Sequence, residues 1–129
     1  MPDAPQQHAS TSTQISNGLS KLHREYYGRG PNSVRTIFGH DHIVTFLEDV
    51  QTPLERTLMQ AGETAPVVEV RRAFQRAMKE RFVAVVEEAT GRTVRAFLSE
   101  VSLDPDISAE IFVLHGVEAD PDPAPEGVG

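Results

Sequence analysis

The stretch SVRTIFGHDHIVTFL, from Ser33 to Leu47, decides the fold. Its two halves are rich in β-branched and aromatic residues, and the segment Gly39–Asp41 between them is typical of a turn. These features predict an antiparallel hairpin. A second pair of strand-like runs, Thr93–Ser102 and Ile107–Leu114, is joined by the turn Asp104-Pro105-Asp106 and predicts a second hairpin.

Helical patterns flank the first hairpin on both sides. Before it, Ser12 or Thr13 is predicted to cap a helix that ends at Gly28, a residue able to adopt positive φ. After it, Thr52-Pro53-Leu54-Glu55 combines a capping Thr, a Pro at the first helical position and a Glu at the third. This arrangement predicts a capping box and a short helix that ends near Gly62.

A long helix is predicted from a cap at Thr64 to Thr90, and Gly91 ends it. Its predicted apolar stripe consists of Val67, Val70, Phe74, Ala77 or Met78, Phe82, Val85 and Ala89. The full order is α-β-β-α-α-β-β. Two local hairpins packed with helices predict a single α+β domain rather than a parallel βαβ fold.

The composition indicates one domain between two tails. Residues 1–12 and 116–129 are rich in Pro and polar residues and are predicted to be disordered, which leaves residues 13–115 as the domain. The formal charge is −7, but five of the 19 acids lie in these tails, whereas all 12 Lys and Arg lie between Lys21 and Arg95. The domain is therefore nearly neutral, and the acidity concerns solubility more than partners.

Several function classes lack their signatures in this sequence. The absence of Cys excludes disulfides, thiol nucleophiles, Fe–S clusters and Cys-ligated zinc. The apolar runs are far shorter than the ~20 residues that span a bilayer, and the N-terminus lacks the layout of a signal peptide. No Gly-x-Ser-x-Gly elbow or comparable arrangement is present. We expect a cytoplasmic, non-enzymatic protein without a cofactor and without direct membrane insertion.

The segment Gly28-Arg29-Gly30-Pro31 is a candidate ligand-binding loop. Two glycines beside an Arg allow backbone N–H groups and the guanidinium to converge on an anion. A helix stop followed by a turn with a solvated Arg29 explains the same residues. The segment lacks the length and the Lys-Ser/Thr of a P-loop, so it is not a nucleotide signature.

Two further clusters have a functional and a structural interpretation. His40 and His42 are weak candidates for metal ligands, but two His make only half a site, and hairpin-tip residues are the alternative. The long helix carries a basic group, which consists of Arg71, Arg72, Arg76, Lys79 and Arg81. Such a face can bind phosphates. Predicted pairs Arg72–Glu69 and Arg76–Glu80 instead favour a solvated, salt-bridged face, and nucleic-acid binding is not expected.

The order of several motifs resembles one known family. The motifs lie at Ile15–Leu19, His23–Pro31, Thr52–Leu58, Val70–Phe74, Val86–Val94 and Ile111–Leu114. Together they resemble the MpsC family over residues 13–115. The most specific pieces are the GRGP segment and the run Glu87-Glu88-Ala89-Thr90-Gly91-Arg92.

The resemblance implies a small cytoplasmic accessory component of a Na⁺-translocating, membrane-potential-generating system that is also connected with inorganic-carbon supply. A membrane transporter subunit is then a candidate partner, and no catalytic residues come with the family. Sheet edges left by two hairpins invite pairing with a second copy, so we expect a homodimer. The alternative is an anion or small-ligand binding domain in which Arg29, with Arg71 or Arg72, holds the anion.

Overall fold

The computed structural model describes residues 4–116, with side chains from residue 10 onward. In chain order its elements are α1 (Ala4–Leu22), a π-helical turn (His23–Tyr27), β1 (Ser33–Phe38), β2 (His42–Glu48), α2 (Pro53–Gln60), α3 (Thr64–Thr90), β3 (Val94–Ser102) and β4 (Ile107–Leu114). The predicted α+β class is confirmed, and helices and strands follow one another as expected. Residues 1–3 and 117–129, which include nearly all of the predicted C-terminal tail, lie outside the described residues.

The first helix begins earlier than predicted. It starts at Ala4 rather than after a cap at Ser12 or Thr13, so residues 4–12, assigned to the N-terminal tail, are helical. Pro5 is compatible with this start because the first turn of a helix does not use its own N–H groups. No further Gly or Pro interrupts the segment before Gly18. The added segment, residues 4–12, is mostly polar, so apolar periodicity does not reveal it.

Local signals at the helix ends are mostly confirmed. Gly28 ends the π-helical turn in the left-handed conformation, with φ of 92°. The Thr52 side chain accepts a hydrogen bond from the Glu55 N–H, and the Glu55 carboxylate accepts one from the Thr52 N–H, which completes the predicted capping box. Thr64 is not a cap, because α3 already includes it and Glu63 occupies the cap position without a side-chain hydrogen bond.

The two predicted hairpins join into one antiparallel sheet. Its strand order is β1-β2-β4-β3, so each hairpin contributes one central strand and one edge strand. The central strands β2 and β4 pair with Ile43 opposite Phe112. Among the described elements, α1 packs on β1 and α3, and α3 packs on β3, so these helices cover one face of the sheet.

The hydrophobic core lies between these helices and the covered face of the sheet. Its fully or almost fully buried members are Ile15, Leu19, Ile43, Leu47, Val50, Met78, Phe82, Val86, Phe112 and Leu114. Aromatic contacts run through it, with ring centroids of Phe82 and Phe97 at 6.1 Å and those of Phe97 and Phe112 at 5.2 Å. Each such side chain stabilises the fold by about 1.5–3 kcal/mol when it leaves water.

The buried stripe of α3 differs from the predicted one. It consists of Val67, Arg71, Gln75, Met78, Phe82 and Val86. Val70, predicted to be buried, is 48% exposed. Val67, Met78 and Phe82 are buried as predicted, and Phe74, Val85 and Ala89 pack against the core, but two polar residues, Arg71 and Gln75, also enter it. The sheet explains the difference, since β4 directs Ser108 and Glu110 towards the same side, where both are fully buried.

Candidate functional site

A polar layer crosses the core between α3 and the sheet. We define the buried polar layer as Arg71, Gln75, Ser99, Ser108 and Glu110. Arg71 and Gln75 lie one turn apart on one face of α3, and Ser108 and Glu110 alternate along β4 and point to one side. Arg71 is 1% exposed, Gln75 6% and Glu110 0%. Charged groups at this depth need partners, because burial removes their hydration.

The layer supplies some of these partners and leaves others open. The Arg71 Nη2 group donates a hydrogen bond to Ser108 Oγ, and Ser99 Oγ donates one to Glu110 Oε1 at 2.6 Å. Among the described residues, Arg71 Nε and Nη1, Glu110 Oε2 and Gln75 Nε2 have no hydrogen-bond partner of good geometry. The Gln75 amide is nevertheless close enough to Glu110 to favour its charged form.

Burial raises the pKa of Glu110 to about 7, against the hydrogen bond from Ser99 and the positive charge of Arg71, which both lower it. The folded state thus binds this proton more tightly than the unfolded chain does. The contribution of this tighter proton binding at Glu110 to the free energy of unfolding is complete below the ordinary carboxyl pKa of 4.5. It is lost as the pH rises through about 7.

The π-helical turn connects this layer to α2. The Arg71 guanidinium carbon lies 5.1 Å from the centroid of the Tyr27 ring, within cation–π range. The Tyr27 hydroxyl donates a hydrogen bond to Glu55, the same carboxylate that completes the capping box. Burial and this contact raise the pKa of Tyr27. Arg71 therefore contacts groups from two other segments of the chain, β4 and the π-helical turn, and Tyr27 links it to α2.

His23 is a core residue. It is 1% exposed, its ring stacks on Phe82 with centroids 5.5 Å apart, and Nδ1 lies 3.0 Å from the carbonyl oxygen of Leu19. Burial lowers its pKa to about 4. Its contribution to stability is thus complete above the ordinary pKa of 6.5 and is lost as the pH falls through about 4.

His40 and His42, the candidate metal ligands, lie at the tip of the β1–β2 hairpin. The His42 ring lies beside the Asp41 carboxylate, with Nδ1 and Oδ1 3.2 Å apart, and the His40 carbonyl accepts a hydrogen bond from Arg92. His23 does not join them, because its ring packs against Phe82 and Phe74 in the core. In the part of the chain that the structure describes, no three His, Asp or Glu side chains come together as a metal site would need.

The GRGP loop takes part in an ion network around Asp49. Arg29 pairs with the Asp49 carboxylate at 3.1 Å and also donates to the Gln51 carbonyl at 3.5 Å. Asn32 and Arg56 contact the same carboxylate. Asp49 itself has a φ of 62°, a conformation that costs a non-Gly residue energy. Arg29 thereby helps to hold a strained turn after β2.

The structure separates the three arginines that were expected to act together. Arg29 contacts Asp49, whereas Arg71 is enclosed in the core and Arg72 is exposed on α3. Among the described residues, no partner in a hydrogen bond or ion pair is shared by Arg29 with Arg71 or Arg72.

A basic pocket lies between α3 and the edge strand β3. We define the α3–β3 pocket by its lining, Arg72, Gln75, Arg76, Lys79, Phe97 and Ser99, and its volume is about 280 Å³. The predicted pairs Arg72–Glu69 and Arg76–Glu80 do not form, since within residues 10–116 neither arginine has a carboxylate within 4.0 Å. Arg81 lies away from the pocket, 4.6 Å from the Tyr26 ring centroid.

Comparison with known proteins decides the family. A family model described as "Na+-translocating membrane potential-generating system (MpsC)" matches residues 7–116. The chain belongs to the MpsC family. No curated protein and no solved structure matches it. Within the described residues of this MpsC-family chain, no helix combines the length and the apolar character that a bilayer crossing requires.

The second specific motif of the MpsC resemblance joins α3 to both hairpins. Gly91 ends α3 with a φ of 72°, and its N–H donates to the Glu87 carbonyl. The Glu87 carboxylate accepts a hydrogen bond from the Val94 N–H at 2.8 Å. Arg92 donates to the carbonyls of His40 at 3.2 Å and His115 at 2.8 Å. These residues position the strands at the end of α3.

Replacing Arg71 by Met tests how much the buried polar layer contributes to the stability of the fold. The substitution keeps the length of the side chain but removes the hydrogen bond to Ser108 and the positive charge near Glu110, so we expect the free energy of unfolding to fall by roughly 1–3 kcal/mol. Arg76→Met on the exposed side of the same helix is the matched control, with an expected change within about 0.5 kcal/mol. Urea denaturation followed by circular dichroism gives both values. Equal effects of the two substitutions would contradict the role of Arg71.

Proposed function

We propose that this chain is a soluble, cytoplasmic and non-enzymatic accessory component of the membrane system after which its family is described, and that it acts as a homodimer. The family description supports the link to a Na⁺-translocating system and makes a membrane transporter subunit the candidate partner. The dimer proposal rests on the open face of the sheet, which is the face opposite α1 and α3.

Rows of paired residues cross the open face from one edge strand to the other. The strand register aligns one apolar row, which consists of Ile37, Val44, Ile111 and Leu98. Its ends are the most accessible, with Ile37 44% and Leu98 51% exposed. Large apolar side chains in a contiguous exposed patch are typical of an interaction surface.

The adjacent row carries opposite charges at its two ends. It consists of Arg35, Phe46, Ala109 and Glu100 in the order of the strands. The guanidinium of Arg35 lies over the Phe46 ring, 5.2 Å from its centroid, so its charge borders the apolar centre. The row is therefore positive at the β1 edge and negative at the β3 edge.

A two-fold axis parallel to the strands makes this face complementary to itself. Such an axis places β1 of one copy over β3 of the other. Ile37 then meets the partner's Leu98, and Arg35 meets the partner's Glu100, with both contacts occurring twice. Aligned face-to-face packing of this type is common between β-sheets. The charge pattern thus favours a second copy as the occupant of the open face.

Exchange of the two charges tests the dimer. Light scattering after size exclusion at micromolar concentration should give twice the 14.2 kDa mass of one chain. Arg35→Glu and Glu100→Arg should each weaken the dimer at least about tenfold, because like charges then face each other, and the double variant should restore it. Arg95→Glu, on β3 outside these rows, is the control. A monomeric wild-type chain, or a double variant no better than the singles, would refute the proposed interface.

Association with membrane subunits tests the accessory role. We expect the chain, expressed together with the transporter subunits of its own system, to co-purify with them after detergent extraction. Leu98→Glu should weaken the dimer, and light scattering measures that effect separately. Any loss of co-purification in this variant should be no larger than its loss of dimerisation. Recovery of the chain free of the transporter subunits under all mild extraction conditions would refute the accessory role.

The alternative proposal is an anion-binding domain that uses the GRGP loop. The Arg29 side chain is 23% exposed, which supports access, but a ligand would have to compete with the Asp49 carboxylate. An anion-induced rise in melting temperature that disappears in Arg29→Ala would favour this alternative. An equal rise in both proteins would eliminate it.

A further inference from the structure

Three cationic side chains converge on the α3–β3 pocket without neutralisation. Arg72, Arg76 and Lys79 follow one another at helical spacing, and all three are exposed. Within the described residues none of them makes an ion pair or a hydrogen bond. Like charges one turn apart repel each other by a few tenths of a kcal/mol. An anion bound between them would relieve that repulsion.

The floor of the α3–β3 pocket contains a buried amide with an unused donor. Gln75 is 6% exposed and lines the pocket, and its Nε2 group has no hydrogen-bond partner among the described residues. Buried amide donors are normally satisfied. The amide lies near Glu110, but an Nε2 group carries two N–H donors, so a ligand oxygen in the pocket could still accept from it. This buried donor distinguishes the site from a patch of solvated surface lysines and arginines.

The carboxyl group behind this floor does not oppose an anion strongly. Glu110 accepts a hydrogen bond from Ser99, which itself lines the pocket. Burial raises the pKa of Glu110 to about 7, so a share of it is uncharged at neutral pH. The positive charge of Arg71 on the core side offsets part of the negative charge on the ionised share of Glu110.

A neighbouring groove extends the site along β3. It shares Lys79 and Phe97 with the α3–β3 pocket. Its further lining combines apolar residues with three charged ones: Val83, Ala84, Val94, Ala96, Glu80, Glu87 and Arg95. Its volume is again about 280 Å³, and its surface is more apolar than that of the first pocket. The two together offer a cationic end for a charged group and a second end of balanced charge, whose apolar side chains can contact an organic group. Their size suits a small metabolite rather than a nucleic-acid strand.

We propose that the α3–β3 pocket binds the phosphate group of a small phosphorylated metabolite whose organic part lies in the neighbouring groove. Two guanidinium groups provide the forked donors that match phosphate oxygens, and Lys79 adds a third positive charge. The pocket lies on the helical side of the sheet and the proposed dimer interface on the other. Ligand binding and dimerisation can therefore be tested independently, and failure of one proposal does not refute the other.

Calorimetric titration with phenyl phosphate and methyl phosphate tests this proposal. We expect saturable binding of both, with phenyl phosphate the tighter ligand because the neighbouring groove accepts the ring. Arg72→Gln and Arg76→Gln should each weaken binding at least about tenfold. Arg81→Gln, which removes a charge from the same helix outside the pocket, should bind as the wild type does. Melting temperatures close to that of the wild type confirm that the exposed substitutions leave the fold intact.

Three outcomes would overturn the proposal. The first is the absence of saturable binding by the wild-type protein. The second is an equal loss of affinity in Arg72→Gln, Arg76→Gln and Arg81→Gln, which indicates non-specific charge attraction. The third is a loss of binding in Arg29→Ala but not in Arg72→Gln, which places the anion at the GRGP loop instead.

Discussion

Burial of the Arg71 guanidinium is the constraint on which the arrangement of α3 depends. Removing such a charge from water costs several kcal/mol unless other groups replace its hydration. Here part of the replacement comes from Ser108 on β4, the Tyr27 ring in the π-helical turn and, at longer range, the carboxyl group of Glu110, while Arg71 Nε and Nη1 have no hydrogen-bond partner among the described residues. The Tyr27 hydroxyl in turn contacts Glu55, which caps α2. These contacts hold four segments in register, and a rotation of α3 would break them together.

The orientation of α3 that buries Arg71 also determines which residues face outward. With Arg71 and Gln75 in the core, Arg72, Arg76 and Lys79 line the edge of β3, and Val70 faces away from the sheet. The basic pocket is thus a geometric consequence of the buried polar layer. The described helices that pack on the sheet lie on one side of it, which leaves the apolar row through Ile111 open on the other. The two surfaces that we assign to ligand and partner are therefore separated by the sheet itself.

Much of the architecture could be predicted because its signals are local. The capping box at Thr52 and the glycine stops at Gly28 and Gly91 depend on residues within a single turn, and the hairpins depend on alternation and turn residues. The predictions that were wrong depend on distant contacts. Arg71 meets a partner 37 residues further along the chain, and no pattern within α3 distinguishes it from the exposed Arg72. The ion pair of Arg29 with Asp49 is similarly invisible to a reading of the GRGP segment alone.

The buried polar layer can be tested through the protonation of Glu110. Carbon-13 NMR of the Glu110 carboxyl carbon, followed across pH in the wild type and in Arg71→Met, reports its pKa directly. The account predicts about 7 in the folded wild type and a higher value in the variant, because the charge of Arg71 lowers the pKa. An ordinary carboxyl value near 4.5 in the wild type, or the same pKa in both proteins, would contradict a buried layer in which Glu110 and Arg71 interact.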